Sequence, residues 1–283
     1  MSRLDVFCQN KIAIVTGAGS GIGLAIARLL ARSGARVHCV DLNGAAAAAA
    51  ASELGNAQAH QVDVTDAQAM CALADAIYAS DGRVDLLFNN AGIAYGGMVA
   101  DTEPAGWRLV FEVNVMGVVN GLHAFLPRML KQPQRSYIVN TASGAGLIPQ
   151  PQAAPYAATK HAVVGLSTSL AAELRGSKVG VTILCPGIVN TPILEQSAIL
   201  EQRLSGREQP SRARVAEFYE KNGTSVDKIA RDVLNDVRRN KLFCLTPRML
   251  IGFGWFLYRL SPRLAIWVMR ARISKIMGEA TNA

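Results

Sequence analysis

The chain has 283 residues, of which 50% are apolar and 18% charged. It is long enough for one large α/β domain and too apolar for a disordered chain. The net charge of +8 is uneven, since residues 1–189 carry 13 basic and 12 acidic side chains and residues 190–283 carry 16 and 9. No nucleic-acid-binding motif accompanies the basic region, so we expect no nucleic-acid partner.

A short β-branched strand at 11–15 precedes a glycine-rich turn and a helix at 24–31 rich in Ala and Leu. Free N–H groups and the helix dipole at such a turn attract a phosphate, and glycines let the backbone approach a pyrophosphate closely. The spacing is T-G-x-x-x-G-x-G, because position 22 is Ile. The residues predicted to bind a dinucleotide here are Gly17, Ser20, Gly21, Ile22 and Gly23.

A second predicted strand, at 36–40, ends at Asp41, 18 residues beyond Gly23. A carboxylate at about this distance accepts hydrogen bonds from the adenosine ribose and repels a 2′-phosphate. Neither Ser20 nor Leu42, which we also place in the cofactor site, is a cation that could offset the repulsion. We therefore predict NAD(H) over NADP(H); the alternative is that Asp41 only caps the next helix.

Strands and helices are predicted to alternate along the first 245 residues. Further strands are expected at 57–62, 84–89, 136–141, 178–184 and 241–245, and helices at 45–51, 107–130 and 156–176. This alternation predicts one doubly wound α/β sheet, parallel and of Rossmann type, with helices on both faces and ligands at the carboxyl ends of the strands. We predict a catalytic domain at 1–245, with a substrate loop at 190–225, and a helical extension at 246–283.

Tyr156 and Lys160 are four residues apart, so in a helix their side chains share one face. A free phenol has a pKa of about 10, which makes it a poor proton donor or acceptor near neutrality. A nearby cation stabilises the phenolate and lowers that pKa. The pair is therefore a candidate proton-transfer group, although Tyr-x-x-x-Lys also arises by chance.

The order and spacing of these motifs resemble the short-chain dehydrogenase/reductase family over about residues 10–191. Residues 16–23 match its cofactor turn, and Ser143 stands 13 residues before Tyr156, as the family's catalytic Ser does. The resemblance implies an NAD cofactor, and it adds Asn114 to the catalytic residues. The further cofactor-binding residues that it implies are Asp63, Val64, Asn90, Ala91, Gly92, Tyr156, Lys160, Pro186, Gly187, Ile188 and Thr191.

The resemblance also implies a role for each catalytic residue. Tyr156 exchanges a proton with the substrate oxygen, and Lys160 lowers the pKa of Tyr156 and binds the nicotinamide ribose. Ser143 orients the reacting oxygen, and Asn114 holds a water behind Lys160. From the residues alone, Asn114 could bond helix backbone, Ser143 could belong to an ordinary turn and Asp63 could cap a helix. The four His residues show no metal-ligand spacing, so we predict no metal.

We expect an NAD-dependent oxidoreductase that interconverts a secondary alcohol and a ketone. A hydrophobic substrate (steroid-like, retinoid-like, aryl or long-chain) is favoured by the apolar tail and by small residues near Ser143. The alternatives are a 3-oxoacyl-thioester reductase that docks an acidic carrier protein, and a non-catalytic dinucleotide sensor or scaffold. A sugar epimerase is disfavoured by the glycine spacing. The predicted pocket residues are Tyr95, Ala145, Leu147, Ala153 and Ile193.

The extension at 246–283 is apolar at 249–258, and Arg259, Arg263 and Arg270 are predicted on one helical face. Charges interrupt it before it reaches the ~20 apolar residues of a membrane span. An amphipathic helix at a membrane surface fits this composition, and packing on the sheet, a subunit or the substrate mouth is the alternative.

We expect a homodimer or homotetramer formed through the two long helices. The first ten residues resemble no signal peptide and no Cys pair is spaced CxxC, so we predict the cytoplasm.

Overall fold

The computed structural model describes residues 2–189, 221 and 223–277, with side chains described up to residue 269. The predicted cofactor residue Thr191 and the pocket residue Ile193 lie outside the described residues, as does most of the predicted substrate loop.

A seven-stranded parallel sheet forms the centre of the fold, which confirms the predicted architecture. The strands are β1 (Ile12–Thr16), β2 (Arg36–Asp41), β3 (Ala57–Gln61), β4 (Leu86–Asn89), β5 (Ser136–Thr141), β6 (Val179–Pro186) and β7 (Phe243–Thr246). Their order in the sheet is β3-β2-β1-β4-β5-β6-β7, so the direction of winding reverses between β1 and β4. Such a switch point is where ligands bind in sheets of this kind.

Helices cover both faces of the sheet, and each face has its own buried cluster. The described helices are α1 (Arg3–Cys8), α2 (Gly21–Arg32), α3 (Gly44–Leu54), α4 (Ala67–Asp81), α5 (Pro104–Phe111), α6 (Gly117–Met129), α7 (Ala154–Glu173), α8 (Val226–Arg238), α9 (Arg248–Leu260) and α10 (Pro262–Met277). One cluster includes side chains of α4, α6 and α7, and the other includes side chains of α2, α3 and α8.

Side-chain caps explain where α3 and α4 begin. Asn43 accepts a hydrogen bond from the Ala46 N–H, and Asp66 accepts from the first turn of α4. The alternative roles considered for Asp41 and Asp63 as helix caps therefore do not apply. The predicted solvent-side Ala helix is α3, and its alanines alternate between an exposed face and a buried face that packs on β2 and β3.

The long helix predicted at 107–130 is interrupted. A π-helical turn at Glu112–Met116 separates α5 from α6, and the Gly117 N–H bonds to the Glu112 carbonyl five residues earlier. The stretch Pro104–Met129 is the one described helix that is long and apolar enough to cross a membrane. Half of that apolar window is buried, and Asn120 donates to the Val64 carbonyl, so the helix belongs to the domain core.

The carboxyl-terminal helices correct one prediction. Ser261 has an extended backbone and separates α9 from α10, and Pro262, which has no N–H, begins the second helix. Arg259 and Arg263 consequently lie on different helices and do not share the single helical face predicted for them.

Candidate active site

The loops after β1 and β4 are joined through Thr16. Its hydroxyl accepts from the N–H groups of Asn90 (2.9 Å) and Ala91 (3.0 Å) and donates to the Phe88 carbonyl (3.3 Å). The Asn90 side-chain amide donates in turn to the Thr16 carbonyl at 3.1 Å. The predicted residues Asn90 and Ala91 therefore support the glycine turn, and Thr16 is the buried residue that connects them.

The glycine turn requires glycine for both conformation and space. Gly17 and Gly21 have φ values of +66° and +54°, which L-residues rarely adopt. A β-carbon on Gly17 would stand 2.9 Å from the Ala91 Cα, and one on Gly23 would stand 2.7 Å from the Asn90 amide nitrogen. Ser20 immediately precedes α2, and Gly21, Ile22 and Gly23 form the first turn of that helix.

Asp41 folds back onto the glycine turn. Its Oδ2 accepts from the Gly19 N–H at 2.9 Å, and its Oδ1 accepts from the Asn43 N–H at 2.9 Å. A β-carbon on Gly19 would stand 2.7 Å from the Ala46 Cβ and 2.9 Å from Asp41 Oδ2. Gly19 is thus a site residue that the motif spacing did not identify. A carboxylate has about four acceptor positions, so Asp41 can still accept from ribose hydroxyls.

The segment after β3 is fixed by local hydrogen bonds and by α6. Asp63 accepts from the backbone N–H and the hydroxyl of Thr65, at 2.9 and 2.8 Å. The Val64 carbonyl accepts from Asn120 at 2.9 Å, and a β-carbon on Gly117 would stand 2.8 Å from Val64 Cγ2. The predicted cofactor-binding residue Val64 is therefore positioned by α6.

Lys160 is buried on α7 beside Tyr156. Its Nζ lies 5.6 Å from the centroid of the Tyr156 ring and donates to the Thr141 carbonyl at 3.0 Å. Burial lowers the pKa of Lys160 to about 8. Tyr156 is half-buried, so part of its side chain is exposed. The arrangement holds an ammonium next to the phenol, as the four-residue spacing predicts.

Asn114 lies in the π-helical turn, a feature that often marks functional sites. Its side chain accepts from the Ile93 N–H (2.8 Å) and donates to the Ile93 carbonyl (3.0 Å) and the Thr159 hydroxyl (3.1 Å). A β-carbon on Gly92 would stand 2.9 Å from Asn114 Oδ1 and 3.4 Å from Lys160 Nζ. Asn114 therefore fixes the loop after β4 close to Lys160 and does not bond its own helix through its side chain.

Ser143 caps a short 3₁₀ turn, Gly144–Gly146, and its hydroxyl accepts from the Ala145 N–H at 3.1 Å. The turn is pressed against α7, because a β-carbon on Gly146 would stand 2.6 Å from the Lys160 carbonyl oxygen. Ser143 and Lys160 thus belong to backbone segments in close contact.

The loop after β6 meets the carboxyl-terminal helix. The Gly187 N–H donates to the Thr246 carbonyl at 2.9 Å, and the Ile188 carbonyl accepts from the Thr224 N–H at 2.9 Å. Pro186, the last residue of β6, precedes this loop. Buried Ile251 of α9 would lie 3.5 Å from a β-carbon on Gly187 and 3.7 Å from one on Gly144.

Ile251 was not among the predicted site residues. The residue lies in the apolar extension, where no motif distinguishes it from the Leu, Phe and Trp residues around it.

The predicted pocket residues differ in their surroundings. Ala145 and Leu147 are buried in the Ser143 turn, and Ala153 forms a backbone bridge with Gly97 at the start of α7. Tyr95 is only 1% exposed, and its hydroxyl packs against Gly106 of α5. The structure therefore places Tyr95 in the packing between α5 and the loop after β4.

Known proteins resemble this chain over most of its length. The family model for short chain dehydrogenases matches residues 11–201. A 1-deoxy-11-beta-hydroxypentalenate dehydrogenase of Streptomyces exfoliatus is 39% identical over 194 residues, which cover 66% of this chain and 70% of the relative. The oxidoreductase EphD of Mycobacterium tuberculosis is 34% identical over 241 residues, 82% of this chain, and the match spans only 40% of EphD.

A solved structure from Burkholderia phymatum, a short chain dehydrogenase/reductase in complex with NAD, superposes with a TM-score of 0.80. It is 33% identical, and the match covers 90% of this chain and 95% of that one. The family match, the strand order of the sheet and the adjacent positions of Tyr156 and Lys160 all lead to the same assignment. The chain belongs to the short-chain dehydrogenase/reductase family of oxidoreductases.

Proposed function

We propose that this chain is an NAD-dependent oxidoreductase that interconverts a secondary alcohol and a ketone on a hydrophobic substrate. The observation that carries the proposal is the buried ammonium of Lys160 beside the accessible ring of Tyr156. A cation held there stabilises a phenolate, so Tyr156 can take the hydroxyl proton in oxidation and return it in reduction.

The other residues would orient the reactants. Ser143 would donate to the reacting oxygen, and Asn114 would hold the loop after β4 and a water behind Lys160. The residues proposed to hold the dinucleotide fit one, since the glycine turn has no space for β-carbons and meets a carboxylate at Asp41. A bound nicotinamide dinucleotide would supply the hydride acceptor or donor.

NAD is proposed over NADP because of the residues after β2. Asp41 places a carboxylate beside the glycine turn, and the next residue, Leu42, is 65% exposed and uncharged. A 2′-phosphate at this position would face a negative charge with no cation from Ser20 or Leu42 to offset it. The Burkholderia relative was crystallised with NAD, which supports the same choice.

An apolar substrate is supported by the side chains around the Ser143 turn. Ala145 and Leu147 belong to that turn, and Ile251 would lie 3.7 Å from a β-carbon on Gly144 of the turn and 3.5 Å from one on Gly187 of the loop after β6. The Streptomyces relative is named as a dehydrogenase of a hydroxylated compound, which agrees with an alcohol substrate.

We also propose assembly through α7 and the stretch from α5 to the end of α6, where Leu109, Met116 and Leu130 are exposed apolar side chains. A homodimer or homotetramer would bury them.

All five cysteines are free, and four are buried, which supports a reducing compartment such as the cytoplasm.

The decisive experiment compares Tyr156→Phe with the wild type in a screen of secondary alcohols and ketones followed by nicotinamide absorbance. We expect turnover to fall by about 10²–10⁴-fold, because the proton-transfer group is removed, while NAD binding is retained. Tyr78→Phe is the matched control, since the Tyr78 hydroxyl bonds to Gln132 on a distant surface.

Retained turnover in Tyr156→Phe would contradict the assignment. NAD binding without turnover of any alcohol or ketone by the wild type would favour a sensor or scaffold. A strong preference for a 3-oxoacyl thioester with NADPH would favour the thioester reductase.

A further inference from the structure

Both carboxyl-terminal helices carry exposed apolar side chains. On α9 the residues Met249, Phe253, Phe256 and Leu260 are spaced by four, three and four positions, so they share one side of the helix. On α10, Leu264 and Trp267 are also exposed. Four of these side chains, Met249, Phe253, Leu260 and Trp267, are at least 68% exposed. Exposed apolar patches that contain aromatic residues usually mark an interaction surface.

The opposite side of α9 explains why this face points outward. Ile251 is 3% exposed and packs at the Ser143 turn, and a β-carbon on Gly254 would stand 3.6 Å from Ile148. Trp255 packs on Phe243 with ring centroids 4.9 Å apart. Since the helix is anchored to the domain by one apolar side, the second apolar side has no place in the same core.

The charge around this face has one sign. Between Asp236 and Glu279 the sequence contains nine Lys or Arg residues and no Asp or Glu. Arg259 and Arg263 are exposed, and no carboxylate of the described residues lies within 4 Å of either. Asp236 itself already pairs with Lys241 (2.9 Å) and Arg248 (3.0 Å). The exposed apolar face is therefore bordered by uncompensated positive charge.

We infer that α9 and α10 dock this protein on the surface of an anionic lipid bilayer. Phe253, Phe256 and Trp267 enter the interface, and Arg259 and Arg263 contact lipid phosphates, as in helices that lie in the plane of a membrane. A second copy of the chain fits less well. A two-fold dimer brings the same patch against itself, so the arginines would face an equally basic surface.

The test measures co-sedimentation of the full chain with vesicles of phosphatidylcholine alone and with added phosphatidylserine, at low and high salt. We expect binding to the anionic vesicles only, and weaker binding as salt screens the arginines. Phe253→Glu with Phe256→Glu should lower the partition coefficient by about 100-fold or more, because two buried aromatic side chains are lost. Each of Arg259→Gln and Arg263→Gln should lower it by about 5-fold.

The matched control is Val6→Glu with Val99→Glu, which adds the same two charges at exposed apolar positions outside α9 and α10. This control should bind like the wild type. A wild type that stays in the supernatant with anionic vesicles would overturn the inference, and so would equal binding to neutral vesicles. A change in oligomeric state in Phe253→Glu/Phe256→Glu, without vesicle binding by the wild type, would assign the face to self-association instead.

Discussion

Gly146 lies so close to Lys160 that a β-carbon at position 146 would stand 2.6 Å from the Lys160 carbonyl oxygen. The turn that carries Ser143 therefore meets the helix that carries Tyr156 and Lys160 backbone to backbone. Any larger residue at 146 must push the turn and the helix apart. The separation between the proposed catalytic hydroxyls is set at this contact.

Gly146→Ala should therefore impair the reaction without removing a functional group. We expect kcat to fall by about 10–100-fold, because small displacements of reacting groups are costly, with about 1–3 kcal/mol of destabilisation from overpacking. Gly165→Ala on α7 is the control, since an added β-carbon there meets nothing within 4 Å. It should stabilise α7 by about 1 kcal/mol and leave kcat unchanged. Equal kinetics in both variants would show that the contact at 146 does not position the site.

The cofactor preference should respond to the residue after Asp41. Leu42→Arg should raise kcat/KM for NADP⁺ by about 10-fold, because an exposed cation can pair with the 2′-phosphate. Adding Asp41→Ser should bring the change to about 100-fold by removing the repelling carboxylate. Leu42→Gln controls for side-chain size. Wild-type kinetics that favour NADP⁺ from the start would contradict the role given to Asp41.

Lys160 is expected to lower stability while it supports catalysis. Its folded-state pKa of about 8 lies below the ordinary 10.5 because of burial, so below pH 8 the folded chain holds a cation that water would solvate better. Lys160→Met should abolish turnover and raise the unfolding free energy at pH 7 by about 1–2 kcal/mol, after allowance for the lost bond to Thr141.

The pH profile separates this effect from simple repacking. Between about pH 8 and 10.5 the unfolded chain binds more protons at Lys160 than the folded chain, so Lys160 makes the unfolding free energy rise with pH. Burial raises the pKa of Cys8 and Cys39, which has the opposite effect on the unfolding free energy and is common to every variant compared. Chemical denaturation at several pH values should therefore show the contribution of Lys160 as a difference. Over this range the unfolding free energy of the wild type, and of the exposed control Lys131→Met, should rise relative to that of Lys160→Met, and a difference that stays constant with pH would refute the burial argument.

A second pH effect arises from two histidines that have no ligand spacing in the sequence. His38 on β2 and His60 on β3 lie with Nδ1 and Nε2 2.9 Å apart, and His38 Nε2 lies 3.2 Å from Asp81, which also pairs with Arg36. Burial, with the neighbouring His60, lowers the pKa of His38 to about 4. The neutral ring is favoured in the fold, so stability is lost as pH falls from about 6.5 through 4.

The expected loss from His38 is about 2–3 kcal/mol of unfolding free energy between pH 7 and pH 4.5. In His38→Gln the unfolding free energy should fall less between pH 7 and pH 4.5, by about that amount. In His123→Gln, at an exposed position of α6, it should fall as in the wild type. If the unfolding free energy falls equally with decreasing pH in the wild type and in His38→Gln, a group other than His38 causes the acid sensitivity.

Local patterns in the sequence were sufficient for the elements and for several site positions. Seven strands were predicted near their observed bounds. For β1, β5 and β6 the reason is a buried run with β-branched residues, which identifies a strand without knowledge of its neighbours. The glycine turn and the Tyr156–Lys160 pair depend on spacings of a few residues, and a helix or turn converts such spacings directly into distance. The predicted placement of site residues at the carboxyl ends of the strands follows from parallel topology alone.

The contacts that define the site depend on segments far apart in the chain, and only the tertiary structure decides them. Position 19 requires glycine because β2 brings Asp41 back to the glycine turn. Position 146 requires glycine because α7 lies against the Ser143 turn. The pairing of His38 with His60 follows from the register of β2 and β3, and Ile251 reaches the site because α9 follows the last strand. Apolar periodicity reports that a residue is buried, but the identity of its neighbour depends on strand order and on close packing between elements, which a one-dimensional pattern does not contain.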